Sequence, residues 1–349
     1  MIIYDLPFND LEETLESWGE PTYRATQIWQ GLYKHLYDTP DQFTSLPLDL
    51  RSRLDETFTF RSLTTVLYTQ SEDGETEKVL LRTADDHHIE TVLMYYQKRR
   101  TVCISTQAGC AMGCVFCATG QIGFKKNLSR GEILEQVLYF ARKLEQDNDH
   151  LSNIVTMGMG EPFHNYEATM EAMEILNHPE GFNFGSRRIT VSTVGIIPMI
   201  ERFTQERRKM NLAVSLHAAT NELRDQLVPI NRKYPLHDLL KVCKEYTAQS
   251  GRRISYEWAL INGVNDSLVQ ADELSHLLKG SLCHVNLIPL NPTDGYPLGA
   301  GTEETAIAFQ EILQSHGITT TIRLRRGIDI HAGCGQLAGL ERNEEKEVE

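Results

Sequence analysis

The stretch Cys110-Ala111-Met112-Gly113-Cys114-Val115-Phe116-Cys117 constrains this chain more than any other. Its C-x3-C-x2-C spacing gathers three thiolates around one metal centre. A closed structural zinc site takes four protein ligands, and so does a closed iron–sulfur cluster. No fourth cysteine follows at ferredoxin spacing. The stretch therefore reads as a cubane [4Fe-4S] cluster held by Cys110, Cys114 and Cys117, with one iron open to a small chelating ligand. An open coordination position marks a catalytic centre. The same residues also fit a zinc knuckle completed by a distant Cys or His. Phe116, inside the stretch, shields the centre from water, which tunes its potential.

From Arg100 onward the pattern alternates strand, loop and helix. Strands are expected near 101–105, 153–157, 188–192, 211–216, 254–260 and 284–289, and helices near 129–145, 166–177, 196–205, 236–249, 268–278 and 303–315. Such alternation gives an α/β fold with a parallel sheet and right-handed crossovers. Six units fall short of the eight of a closed barrel, so a partial (β/α)6 barrel is expected. A last strand, Thr319–Arg323, leads into a glycine-rich loop containing Cys334. The conspicuous residues follow strand ends: the cysteine loop, Gly158-Met-Gly160-Glu161, Ser192, Ser215-Leu216-His217 and Asn291. Ligands bind at that rim in parallel α/β folds.

Upstream, residues 1–57 read as a small helical module. Leu11, Leu15 and Trp18 share one face, and Ile28, Leu32 and Leu36 another. Trp29 and Tyr33 read as core. Residues 58–100 read as a β extension, with antiparallel strands at Lys78–Arg82 and Ile89–Met94 around a polar turn. The partial barrel then covers 101–325, and 326–349 hold the Cys334 loop and an acidic tail. Seven cysteines, three of them clustered, suit a reducing cytoplasm and cofactor ligation rather than a disulfide framework. No apolar run approaches the roughly 18 residues of a membrane span, and the first residues lack signal-peptide character. A formal charge of −14 argues against a nucleic-acid partner. Local basic clusters at Lys98–Arg100, Lys125–Lys126, Arg187–Arg188, Arg252–Arg253 and Arg323–Arg326 argue the other way.

The cysteine spacing resembles the radical S-adenosylmethionine (SAM) superfamily. Longer stretches narrow the likeness: Cys103-Ile-Ser-Thr-Gln-Ala-Gly-Cys110, Gly123-Phe-Lys-Lys-Asn-Leu128, Gly158-Met-Gly-Glu-Pro162, Ser215-Leu-His217 and Cys334-Gly-Gln-Leu-Ala-Gly339. Together they resemble the radical SAM adenine methyltransferases of 23S rRNA, the RlmN enzymes acting at C2 and the Cfr enzymes acting at C8. The resemblance runs over nearly the whole chain. It implies SAM contacts at Gly160, Glu161, Ser192, Ser215, Leu216, His217 and Asn291. It implies that Cys334 accepts a methyl group from one SAM. A deoxyadenosyl radical from a second SAM then activates that methyl for addition to adenine. Cys103 resolves the covalent RNA adduct, leaving a Cys103–Cys334 disulfide to be reduced, and Glu90 accepts a proton. The implied partners are 23S rRNA, tRNA and an electron donor such as flavodoxin or ferredoxin; a cytoplasmic monomer is expected.

Two departures touch the Cys334 loop, where family members commonly carry acids in place of Ile328 and His331. The competing readings are C8 methylation, a non-catalytic zinc-dependent RNA-binding module, and a glycyl-radical activase, which needs neither Cys103 nor Cys334. Cys243 and Cys283 read as inert buried thiols.

Overall fold

The computed structural model describes residues 1–339, so the acidic tail Glu341–Glu349 lies outside the described residues. The N-terminal module packs α1 (Phe8–Ser17), α2 (Tyr23–Tyr33) and α3 (Leu48–Thr57). Leu11, Leu15, Ile28, Trp29, Leu32 and Tyr33 are buried. Leu36 is buried too, but it lies beyond the end of α2 with φ +56°. The helical spacing there outlasts the helix, because a left-handed residue turns the chain while still directing its side chain inward.

Strands β1 (Thr64–Gln70), β2 (Thr76–Arg82), β3 (His88–Tyr96) and β4 (Arg99–Cys103) form an antiparallel meander. Next come β5 (Gln107–Ala108), α4 (Ala118–Ile122) and β6 (Lys126–Asn127), with β5 and β6 pairing as a small hairpin. The alternating part follows: α5 (Arg130–Gln146), β7 (Asn153–Thr156), α6 (Tyr166–Asn177), β8 (Ile189–Thr193), α7 (Ile197–Gln205), β9 (Asn211–Ser215), α8 (Asn221–Leu227) and α9 (Leu236–Ser250). It ends with β10 (Ile254–Leu260), α10 (Leu268–Leu278), β11 (Cys283–Pro289), α11 (Glu303–Ser315) and β12 (Thr319–Ile322).

One ten-stranded sheet runs in the order β1-β2-β3-β4-β7-β8-β9-β10-β11-β12. From β4 to β12 all neighbours are parallel, and β1 and β12 are the open edges. This is a partial α/β barrel. The early meander extends the same sheet, because β3 pairs with β4 in a register that sets Val92 opposite Cys103. The helical starts carry their own signals. Ser129 and Glu132 form a reciprocal cap on α5, and Thr302 caps α11. Parallel strands covered by helices are apolar through their length, and Ile154, Val191, Leu212, Val214, Trp258 and Leu287 are fully buried or nearly so. Among the described residues no helix is long and apolar enough to cross a membrane.

Candidate active site

The cysteine loop leaves β4 and returns through α4. Gly109 adopts φ +69°, and a Cβ there would strike the Gly123 carbonyl. The Cys110 amide donates to that carbonyl at 3.1 Å, the Val115 amide to Leu227 O at 3.1 Å, and the Cys117 amide to Cys114 O at 3.2 Å. The three thiols are free and line one cavity. Burial pushes all three pKa values up, that of Cys110 to about 12. Thiols desolvated in this way hold their protons until a metal centre replaces them.

The donor set fits an iron–sulfur cluster. Among the described residues, the grouping whose ligand atoms all lie within 4.8 Å of one another is Asp272, His276 and His316, exposed on the outer helices. The three cysteine sulfurs do not meet that spacing. A single zinc bonds each sulfur at about 2.3 Å and needs them close together, whereas a cluster gives each sulfur its own iron.

The rest of that cavity is built from the strand ends. Gly158, Gly160, Glu161, Ser192, Thr193, Ser215, His217 and Glu257 face it, as do Cys334 and Gly335. Gly160 has φ +99°, and a Cβ would lie 2.5 Å from that of Gln107. Glu161 is buried; its Oε1 accepts the Phe163 amide at 2.9 Å and its Oε2 the Val194 amide at 2.8 Å. Burial raises its pKa to about 7 against the pull of those amides. A ligand ammonium arriving here would restore the carboxylate. His217 holds φ +61°. Its Nδ1 accepts the Ala259 amide at 2.9 Å, so the neutral ring carries its proton on Nε2. Burial, with Arg224 second, lowers its pKa to about 3. The Phe116 ring stands edge-on to it at 4.9 Å.

A second cavity adjoins the first. Cys103, Met94, Tyr96, Met157, Asn291, Arg323, Arg325, Arg326, Gly333 and Cys334 line it. Cys334, Met157, Ile288 and Leu337 face both cavities, so Cys334 stands at their junction. Its segment is fastened to the cysteine loop: Ala118 N donates to Gly335 O at 2.8 Å, and Thr119 Oγ1 to Leu337 O at 2.6 Å.

Three of the residues singled out from sequence lie elsewhere. Leu216 is buried and does not line the first cavity, its amide on Glu257 O at 2.9 Å. Asn291 faces the Cys103–Cys334 cavity instead, with its Oδ1 buried and unpartnered. Glu90 faces neither cavity; Lys78 Nζ pairs with its Oε1 at 2.8 Å, and the amides of Ala338 and Gly339 donate to its Oε2. Of the two loop departures, Ile328 is exposed and His331 adopts φ +50°.

Sequence reasoning passed over three residues of the site. Arg224 is fully buried and donates to Leu216 O, Ser215 O, Val194 O and Asn231 Oδ1, binding three rim segments together. Glu257 faces the first cavity with Oε2 unpartnered. Arg323 faces the second. Only Arg323, in a basic run, carried any signal in the sequence.

A partial parallel barrel with three cysteines beyond its first parallel strand, facing a cavity walled by Gly160, Glu161 and His217, defines a radical SAM enzyme. Residues 104–274 match the radical SAM superfamily, whose members use a [4Fe-4S] cluster and SAM, and residues 2–60 match the ribosomal RNA large subunit methyltransferase N-terminal domain. The chain belongs to the RlmN family of radical SAM RNA methyltransferases. It is 48% identical over 348 residues to a probable dual-specificity RNA methyltransferase RlmN of Chloroflexus aurantiacus, covering 97% of this chain and 92% of that protein. With the dual-specificity RNA methyltransferase RlmN 1 of Myxococcus xanthus the identity is 47%, covering 99% and 97%. The crystal structure of a radical SAM methyltransferase from Sphaerobacter thermophilus superposes with a TM-score of 0.95 at 51% identity, covering 97% of this chain and 99% of that one.

Proposed function

We propose that this chain methylates C2 of adenine in 23S rRNA and in tRNA, carrying the methyl group on Cys334. The observation that supports this reading most is the place of Cys334 at the junction of two cavities. One is walled by the three cysteines and Glu161, the other by Cys103. Adenine C2 is electron-poor and cannot attack a methyl sulfonium, so a polar transfer fails. A thiolate is a competent first acceptor.

When bound, the cluster and SAM supply the radical chemistry that activates the methyl group. The chain does the rest. Cys110, Cys114 and Cys117 hold the cluster. Glu161 takes the ammonium of SAM, and His217 offers Nε2–H. Cys334 receives the methyl group in the first cavity and presents it to the base in the second. Cys103 waits there to resolve the adduct. Arg325 and Arg326 stand at that mouth and suit an approaching RNA backbone. Glu90 accepts a proton once the Ala338–Gly339 segment moves away. Flavodoxin or ferredoxin delivers electrons, and the protein works as a monomer.

The test is anaerobic incubation of reconstituted protein with SAM, reductant and either a 23S rRNA fragment or tRNA, followed by mass spectrometry of the nucleosides. 2-Methyladenosine from both RNAs is expected. 8-Methyladenosine, or no methylated adenosine, would overturn the reading.

A further inference from the structure

The last two helices of the barrel carry a second set of ligating side chains, outside both cavities. Asp272 and His276 stand one turn apart on α10, and His316 closes α11 as its C-terminal cap. One ligand atom from each of the three lies within 4.8 Å of the other two, and all three residues are exposed. The carboxylate sits between the rings. Its Oδ2 is 3.4 Å from His276 Nδ1 and its Oδ1 is 3.9 Å from His316 Nε2. The ring centroids are 5.6 Å apart. Among the described residues Asp272 pairs with no Lys or Arg.

The backbone prepares both rings as ligands. His276 Nδ1 lies 2.9 Å from the Asp272 carbonyl oxygen, and His316 Nδ1 lies 3.0 Å from that of Ile312. An Nδ1–H donated to a main-chain carbonyl leaves Nε2 as the lone-pair nitrogen. Metal-bound histidines are oriented in the same way. The local field agrees with this. His276 lies in the last turn of α10 and His316 at the end of α11. The negative ends of two helix dipoles therefore meet here and favour a cation. His237 and Asp238 make a useful contrast. They are exposed neighbours at the start of α9, a positive helix end, and no third ligating group joins them among the described residues.

We propose that Asp272, His276 and His316 bind one divalent ion of the zinc class, which clamps α10 to the end of α11. Two imidazoles and one carboxylate suit zinc, whereas magnesium and calcium take oxygen ligands. Tetrahedral zinc sets its ligand atoms about 3.3 Å apart. The three groups must then draw together by up to about 1.5 Å, which exposed side chains achieve by small rotations. Water takes the fourth position. Three residues beyond His316 the chain enters β12, the open edge strand that leads into the Cys334 segment. Helices in such units run back to the starting ends of the strands, so the ion lies on the face opposite the active-site rim. The clamp holds the turn from which the last strand of the sheet begins. It involves no cluster, SAM or RNA, so it stands apart from the methyltransferase reading.

The test uses cluster-loaded protein, freed of loose metal and titrated anaerobically with zinc chloride at pH 7.5 by calorimetry. Wild-type protein should bind one equivalent at this site, and excess magnesium should not displace it. Even a partner behind a metal ligand is worth roughly tenfold to a hundredfold in affinity. His276→Gln, His316→Gln and Asp272→Asn, each removing a ligand, should therefore weaken this binding at least tenfold. Zinc should also slow hydrogen exchange across residues 312–322 in wild-type protein and not in the variants. Because the side chains are exposed, iron content and the zinc-free melting temperature should stay at wild-type values in all three. A wild-type protein that takes up no zinc overturns the proposal. So does a zinc titration with the same stoichiometry and affinity in wild type and both histidine variants, since the zinc then goes to the cysteines. Absence of 2-methyladenosine from wild-type protein would sink the methyltransferase reading and leave this result intact.

Discussion

The carboxylate of Glu90 accepts the amide of Ala338 at 2.8 Å, four residues beyond Cys334. The same oxygen accepts the Gly339 amide at 3.0 Å, and Lys78 neutralises the other oxygen. One strand of the early meander thereby holds down the far end of the Cys334 segment. Replacing Glu90 by Ala should free that end and leave Lys78 partly buried without its partner. Breaking a buried pair on one side costs about 3–5 kcal/mol, and the residual exposure of both groups places the loss at the lower end. The expected outcome is a lower melting temperature and faster proteolysis within residues 327–339, with iron content unchanged. Wild-type proteolysis of that segment would show that something else holds it.

The cysteine loop, the rim positions and the strand–helix alternation were legible because each has a local signature. Apolar spacing marks α6 and α11, and ligand spacing marks Cys110, Cys114 and Cys117. What was not legible is set by partners distant in sequence. Arg224 sits in an ordinary Asn-Glu-Leu-Arg helix, and its role appears only where Val194, Ser215 and Leu216 turn their carbonyls toward it. β1 is an almost wholly exposed edge strand, so it lacks the apolar alternation that marks a half-buried one. Glu90 reads as a solvated strand residue until Lys78 and Ala338 are brought to it.

In the proposed cluster Cys110, Cys114 and Cys117 each supply the thiolate of one iron. Cys110→Ala, Cys114→Ala or Cys117→Ala should each lose the cluster. Iron and sulfide analysis with visible absorption checks this. One equivalent of zinc and no brown chromophore in wild-type protein would favour a zinc knuckle instead.

Glu161 links ligand binding to pH. Burial raises its folded pKa from 4.5 to about 7, so the SAM-free folded state binds the proton more tightly than the unfolded chain. That contribution to stability is present below pH 4.5 and is lost as pH rises past about 7. Glu161→Gln should flatten this part of the melting profile between pH 4.5 and 8. It should also weaken SAM by roughly tenfold to a hundredfold, the cost of one charge-assisted hydrogen bond of about 1.5–3 kcal/mol. Thermal melts of SAM-free protein and calorimetric titration with SAM measure both. Unchanged SAM affinity would move the ammonium site away from this carboxylate.

Cys103 and Cys334 share a cavity but should fail differently when removed. Cys334 also faces the first cavity, so it alone of the two can meet the methyl donor. Cys334→Ala should therefore never carry S-methylcysteine and never join covalently to RNA. Cys103 is buried on β4 and faces only the second cavity, where the modified base would lie. In the proposed reaction its work comes after the carbon–carbon bond has formed, when the base is still tethered through the carbon that Cys334 delivered. Releasing that tether needs a second sulfur to attack the first, and the segment carrying Cys334 has no other thiol to offer. Cys103→Ala should take up the methyl group, react with RNA and stall as a covalent protein–RNA species. Denaturing electrophoresis of each variant purified from cells separates these outcomes, with ribonuclease collapsing any shifted band. A Cys103→Ala protein without an RNA-dependent shift, beside an active wild type, would mean that Cys103 acts before the bond to the base is made.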